Sequence, residues 1–124
     1  MKYFDVITHF FGFERNHFDR LVHFLFGLLV FRILFEMIIN AVTSVKYALF
    51  FTFTMIVFIS TIYEMFEWLA TDILYPDLGI AFLGIQGDVW DAHKDTLAAT
   101  IGGCVNILFY KRYKQLWLSK ISKK

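Results

Sequence analysis

The sequence predicts an all-α fold: an integral membrane bundle of three transmembrane helices preceded by a short N-terminal interfacial segment. Three observations carry this expectation. The chain has 124 residues, of which 58% are hydrophobic and 20% aromatic, against an apolar share of about 45–50% in ordinary soluble domains. Residues 47–63, YALFFTFTMIVFISTIY, hold no charged side chain. The basic residues crowd one end of the chain, the pattern that orients membrane helices. A soluble bundle would have to bury most of the 16 Phe in one small core, and a domain of this size has too little interior for them.

Each element has its own justification. Residues 1–16, MKYFDVITHFFGFERN, mix aromatic side chains with Asp5, His9 and Glu14 and contain no long apolar run. They suit a helix lying in the membrane interface better than a cleavable signal peptide. The first span, residues 18–40, is apolar from Leu21 to Ile39 except for His23, Arg32 and Glu36, and the last two stand four apart, where they can pair or snorkel. The second, residues 46–70, contains the charge-free stretch and is the clearest crossing. The third, residues 89–110, opens on a charged turn and becomes apolar from Leu97. At about 1.5 Å per residue it still reaches roughly 33 Å. Residues 111–124 form a basic tail, beside whose charges Tyr110, Tyr113 and Trp117 read as interfacial anchors. The whole chain is one membrane domain without repeats or low-complexity linkers. A single cysteine, Cys104, excludes an internal disulfide framework and a cysteine-based zinc site.

Twelve Lys and Arg against eleven Asp and Glu give a formal charge of +1, so nothing in the balance suggests a nucleic-acid partner. The placement of the charges says more than their sum. Lys46 in the loop between the first two spans and Lys111, Arg112, Lys114, Lys120, Lys123 and Lys124 in the tail fall on one side. The positive-inside rule puts that side in the cytoplasm and the N-terminus outside. With Arg32 and Glu36 counted inward, the cytoplasmic side carries a net +7 and the outer side a net −6. The loop 71–87 fits this assignment, having Asp72 and Asp77 but no Lys or Arg.

Oriented in this way, the ionisable residues gather at the outer end. Asp19, Arg20 and His23 open the first span, Glu64 and Glu67 close the second, and Asp88, Asp91, Lys94 and Asp95 open the third. Asp19 and His23 are i,i+4; Glu64 and Glu67 are i,i+3; Asp88, Asp91 and Asp95 follow i, i+3, i+7. Each group is therefore a stripe on its own helix, and three stripes at one depth can meet in one pocket. Below the acids, Ala98 and Gly102, with Ala99 and Gly103 beside them, are small residues four apart that let helices approach. Asn106 is placed to hydrogen-bond across the bundle.

Capping and dipole compensation account for Asp88 and in part for Asp91. They do not account for Asp95, two turns into its helix, or for carboxylates on a second helix. Seven residues, Asp19, His23, Glu64, Glu67, Asp88, Asp91 and Asp95, make a candidate site for a divalent cation such as Mg²⁺, Mn²⁺, Ca²⁺ or Zn²⁺. Arg20 and Lys94 are candidates to bind the phosphate of a lipid or other envelope ligand. The same carboxylates suit proton handling, and a purely structural polar network is the plain alternative. His9 and His17 read as interfacial, His93 lies off the acidic stripe, and a haem held between histidines lacks a pair at matching depth. Neither a phosphate loop nor an HExxH motif is present.

The stretches HFDRLVHFLFGLL (residues 17–29), YEMFEW (residues 63–68) and FLGIQGDVWDAHKDTLAATIGG (residues 82–103) resemble the YjdF-like family of uncharacterised bacterial inner-membrane proteins. The resemblance covers residues 17–103 and is to the C-terminal core of longer members. It implies a bacterial inner-membrane location and a shared polar pattern without an assigned reaction. Near Glu36 the chain departs from the family's Pro and Arg with Ile33 and Phe35. A weaker similarity, to VanZ-like membrane proteins, implies a role linked to an envelope lipid or glycopeptide. The expected function is cation-dependent binding or modification of an envelope ligand. The alternatives are cation or proton transport, which three short helices could support only as a homo-oligomer or with a membrane-protein partner, and a structural subunit of a membrane complex.

Overall fold

The computed structural model describes residues 15–74 and 90–123. They fold into four helices: α1 (Arg15–Ile38), α2 (Val45–Leu74), α3 (Asp91–Leu108) and α4 (Tyr110–Ile121). The expected interfacial segment lies outside the described residues except for Arg15 and Asn16, which open α1; Asp77 and Asp88 also lie outside them.

Long apolar runs without proline propagate as helices because every backbone group is satisfied within the segment, a requirement that lipid makes strict. The hydroxyls in these runs are turned inward on the same principle. Thr52, Thr54 and Thr61 donate to the carbonyls of Ala48, Phe50 and Val57 at 2.7, 2.9 and 2.8 Å, which satisfies each hydroxyl within its own helix. After α1, Ala41 N–H closes onto the Ile38 carbonyl at 2.8 Å. Ser44 then starts α2, accepting the Tyr47 N–H on its Oγ at 3.4 Å and the Ala48 N–H on its carbonyl at 3.0 Å.

Two helices are long and apolar enough to cross a membrane, α1 over His17–Ile38 and α2 over Val45–Leu74. At about 1.5 Å per residue α2 reaches roughly 45 Å, longer than the ~30 Å of a hydrocarbon core. Helix α3 is shorter, with 18 residues, or about 27 Å. It runs parallel to α1, as the pairs Asp95 with Arg20, Gly102 with Phe24, and Asn106 with Leu28 require. Helix α2 runs antiparallel to both, bringing Ser60 and Glu64 to His23.

Glycine sets the spacing between α1 and α3. A Cβ on Gly27 would collide with the Ala99 carbonyl, and one on Gly102 with the Phe24 carbonyl, so the two backbones touch. Gly103 faces α2 instead, where a Cβ would meet Phe53 and Ile56 at ordinary contact distances of 3.5 and 3.6 Å. The buried line on α3 is Asp95, Ala99, Gly102, Gly103 and Asn106. The stripe below the acids thus runs through Ala99 rather than through Ala98, which is only half-buried, because the α1 contact is centred on the Ala99 carbonyl.

The end of the bundle away from the acids is closed by aromatic packing. Phe31 and Phe35 are buried with Ile39, Val45, Ala48, Leu49 and Ile56. The stretch expected as a basic tail is mostly α4, set off from α3 by the single residue Phe109. Tyr113 is not an interfacial anchor. It is 4% exposed and packs edge-on against Phe31 and Phe35, with ring centroids 5.5 and 4.7 Å away. Its hydroxyl donates to Asn106 Oδ1 at 2.5 Å, while Asn106 Nδ2 donates to the carbonyls of Leu28 at 3.0 Å and Gly102 at 3.2 Å. Asn106 thereby ties α1, α3 and α4 together. Tyr110 and Trp117 also pack against this core.

Candidate functional site

At the opposite end, three helices bring together Asp19, Arg20 and His23 from α1, Ser60 and Glu64 from α2, and Asp91 and Asp95 from α3. The helical spacing is responsible on each element: Asp19 and His23 share a face four apart, as do Ser60 and Glu64, and Asp91 and Asp95. His23 is the hub. Its Nδ1 lies 3.2 Å from Ser60 Oγ, and its Nε2 lies 2.9 Å from Glu64 Oε1 and 3.9 Å from Asp19 Oδ1. The Glu64 contact is a close ion-pair distance without an aligned hydrogen bond at Oε1. The Tyr63 ring stands edge-on to the imidazole at 5.7 Å.

Arg20 is the cation of the cluster. Its Nη2 donates to Asp91 Oδ1 at 3.1 Å, and its Nε stands 3.9 Å from Asp95 Oδ1. Asp95 is the deepest group. Its side chain is 1% exposed, against 38% for Asp19, so the cluster grades from an open mouth to a sealed floor. Asp95 Oδ1 is buried and has no hydrogen-bond partner. One ligand atom each from Asp19, His23 and Asp95 lies within 4.8 Å of the others. Ligand atoms around one cation at about 2.0–2.6 Å stand no more than roughly 5 Å apart, so the three fit a shared ion.

The residues singled out from sequence divide as follows. Asp19, Arg20, His23, Glu64, Asp91 and Asp95 converge. Glu67, half-buried one turn beyond Glu64, and Lys94, exposed on α3, are outside the converging ligand set. Asp88 falls outside the described residues. His93 is exposed and rests its ring against Trp90 at 5.2 Å, off the acidic stripe. Arg32 pairs with Glu36 at 3.1 Å, as their spacing predicts. Sequence reasoning missed Ser60. Its place four residues before Glu64 on an otherwise apolar face was the available signal.

A small helical bundle with apolar outer faces and one polar cluster where its helices meet is the build of an integral membrane protein. The chain belongs to the family described as Predicted membrane protein (DUF2238), whose model matches residues 1–116. It is similar to Inner membrane protein YjdF of Escherichia coli (strain K12), with 32% identity over 104 residues, which is 82% of this chain and 49% of that protein. The chain thus spans about half the length of this relative. No solved structure matches it.

Proposed function

We propose that the chain is a three-pass protein of the bacterial inner membrane whose acidic and histidine cluster binds a divalent cation and, beside it, an anionic envelope lipid or small ligand. One observation carries the reading: the buried Asp95 carboxylate oxygen with no hydrogen-bond partner, facing ligand atoms of Asp19 and His23. Arg20 Nε stands 3.9 Å away without hydrogen-bonding to it, and burying an anion so weakly compensated costs roughly several kcal/mol. Four carboxylates, those of Asp19, Glu64, Asp91 and Asp95, gather around Arg20 and His23. A bound divalent cation places positive charge beside the deepest of them. Ser60 holds Nδ1 of His23, which leaves Nε2 as the nitrogen facing the carboxylates, the arrangement in which an outer partner orients a ligating imidazole. Glu67 and Asp91 extend the acidic field around this core, Asp88 is assigned to it from its sequence spacing alone, and Arg20 and Lys94 are the groups offered to a ligand's phosphate.

Helix α3, parallel to α1, supplies the third crossing, and the basic α4 sets the C-terminus in the cytoplasm with the cluster at the outer face. A transport role for a single chain is weighed down by the contact of α1 and α3 at Gly27 and Gly102, which closes the route between them just below Asp95. The test is thermal unfolding of the purified protein in detergent with Mg²⁺, Ca²⁺, Mn²⁺ or Zn²⁺ added after chelation. At least one cation should raise the midpoint, and Asp95→Asn should abolish that rise while unfolding no earlier than the unmutated protein without metal. A rise that survives Asp95→Asn, or no rise with any cation, would sink the metal reading.

A further inference from the structure

The opposite end of the bundle holds a second site of different chemistry. Beside the break between α3 and α4, a groove of about 220 Å³ is lined by two arginines, Arg32 of α1 and Arg112 of α4. Two like charges brought to one groove from separate helices repel unless something anionic lies between them. Glu36 does not fill that role for both. It accepts from Arg32 Nε at 3.1 Å and stands 3.9 Å from Lys120 Nζ, and it is not among the residues that line the groove. Among the described residues Arg112 has no ion pair. The polar atoms at the groove's floor are already matched to one another, since Tyr113 donates to Asn106 and Asn106 to backbone carbonyls. Recognition there falls to the arginines.

The rest of the lining is apolar and open sideways. Leu29 and Phe109 are 63% and 56% exposed, and Leu116 continues the wall along α4. Lys111 and Lys114 flank Arg112 on the same helix. A guanidinium pair above an apolar flank matches a molecule that is anionic at one end and hydrocarbon at the other. We propose that this groove binds an anionic phospholipid of the surrounding bilayer, its phosphodiester held between Arg32 and Arg112 and the start of an acyl chain lying along Leu29 and Phe109. The groove holds about seven times the roughly 30 Å³ that one water occupies, room for the phosphodiester and glycerol while the acyl chains remain in the bilayer. The position suits such a ligand, because anionic lipid attracts basic segments at the membrane face they border. This site is independent of the cation cluster and survives if that reading fails.

The experiment is native mass spectrometry of the full chain released from a neutral detergent, with phosphatidylglycerol, phosphatidylcholine or inorganic phosphate added. Phosphatidylglycerol should bind with a preference over phosphatidylcholine on the order of tenfold, the scale of one charge-assisted contact pair. Arg112→Gln should reduce the preference to about twofold or less, because it removes one arm of the clamp. Arg112 is exposed, so the variant should fold; Arg32→Lys, which keeps charge but loses the fork, should weaken the preference in a second, independent position. Equal binding of the two lipids, or an unchanged preference in Arg112→Gln, would overturn the proposal. So would binding of phosphate alone in place of the lipid. A loss in Lys111→Gln or Lys114→Gln as large as in Arg112→Gln would overturn it too, since diffuse attraction to the basic helix would then suffice.

Discussion

Asn106 and Tyr113 illustrate how much a polar side chain can organise where apolar contacts alone do not choose among packings. The amide spans two helices and receives the phenol of a third, so removing it strands several groups at once. Asn106→Ala should cost about 1–2 kcal/mol, the range for interhelical hydrogen bonds in membranes, read as a shift in the denaturation curve in mixed detergent. In that background Tyr113→Phe should cost far less than it does alone, because its partner is already gone; full additivity of the two changes would contradict the contact. Burial pushes the Tyr113 phenol above its ordinary value of 10.0, against the lowering influence of Arg32 and Arg112. The neutral form is therefore favoured in the folded state. Its stabilising contribution is intact below pH 10.0 and is lost as pH rises through the folded value. Unfolding followed above pH 10 should show this loss in the unmutated protein and a smaller one in Tyr113→Phe. Asn106 was legible in the sequence as a cross-helix donor. Tyr113 was not, because an aromatic residue beside lysines has the same pattern whether it anchors at an interface or turns inward.

Between elements, the glycines discriminate what composition blurs. Gly102 and Gly103 are adjacent and equally small, yet one meets the α1 backbone and the other meets two side chains of α2. Gly102→Ala should therefore destabilise the fold by about 1–3 kcal/mol, the cost of overpacking a close contact. Gly103→Ala should be neutral or gain a few tenths up to about 1 kcal/mol from helix propensity. Equal effects in the same unfolding assay would refute the assignment of faces. Spacing indicated that α3 carries a small-residue line. Which of two neighbouring lines touches α1 depended on the rotation of α3 about its own axis, and the Ala99 route beneath Asp95 is a consequence of that rotation. The same rotation brings Asp95 inward, toward Arg20 of another helix, and leaves Lys94 exposed.

For the molecule as a whole, the separation of charge implies a topology that can be measured. Single cysteines in place of Asp72 and Lys123, in a Cys104→Ser background, should differ: an impermeant thiol reagent applied to intact cells with the outer membrane removed should modify position 72 and spare 123. Equal labelling, or the reverse, would overturn the proposed orientation. Helical class, the long apolar runs of α1 and α2, the convergence of six ionisable residues and the Arg32–Glu36 pair were all determined by the sequence. These depend on local rules, the 3.6-residue period and the cost of leaving polar groups in lipid. The tertiary structure alone decided three other features: the direct backbone contact of α1 with α3, the turn at Phe109 that brings α4 back onto Phe31 and Phe35, and the depth of Asp95 with Ser60 behind His23. Each depends on how far one helix is rotated or displaced against another, and periodicity along a single helix carries no information about that rotation.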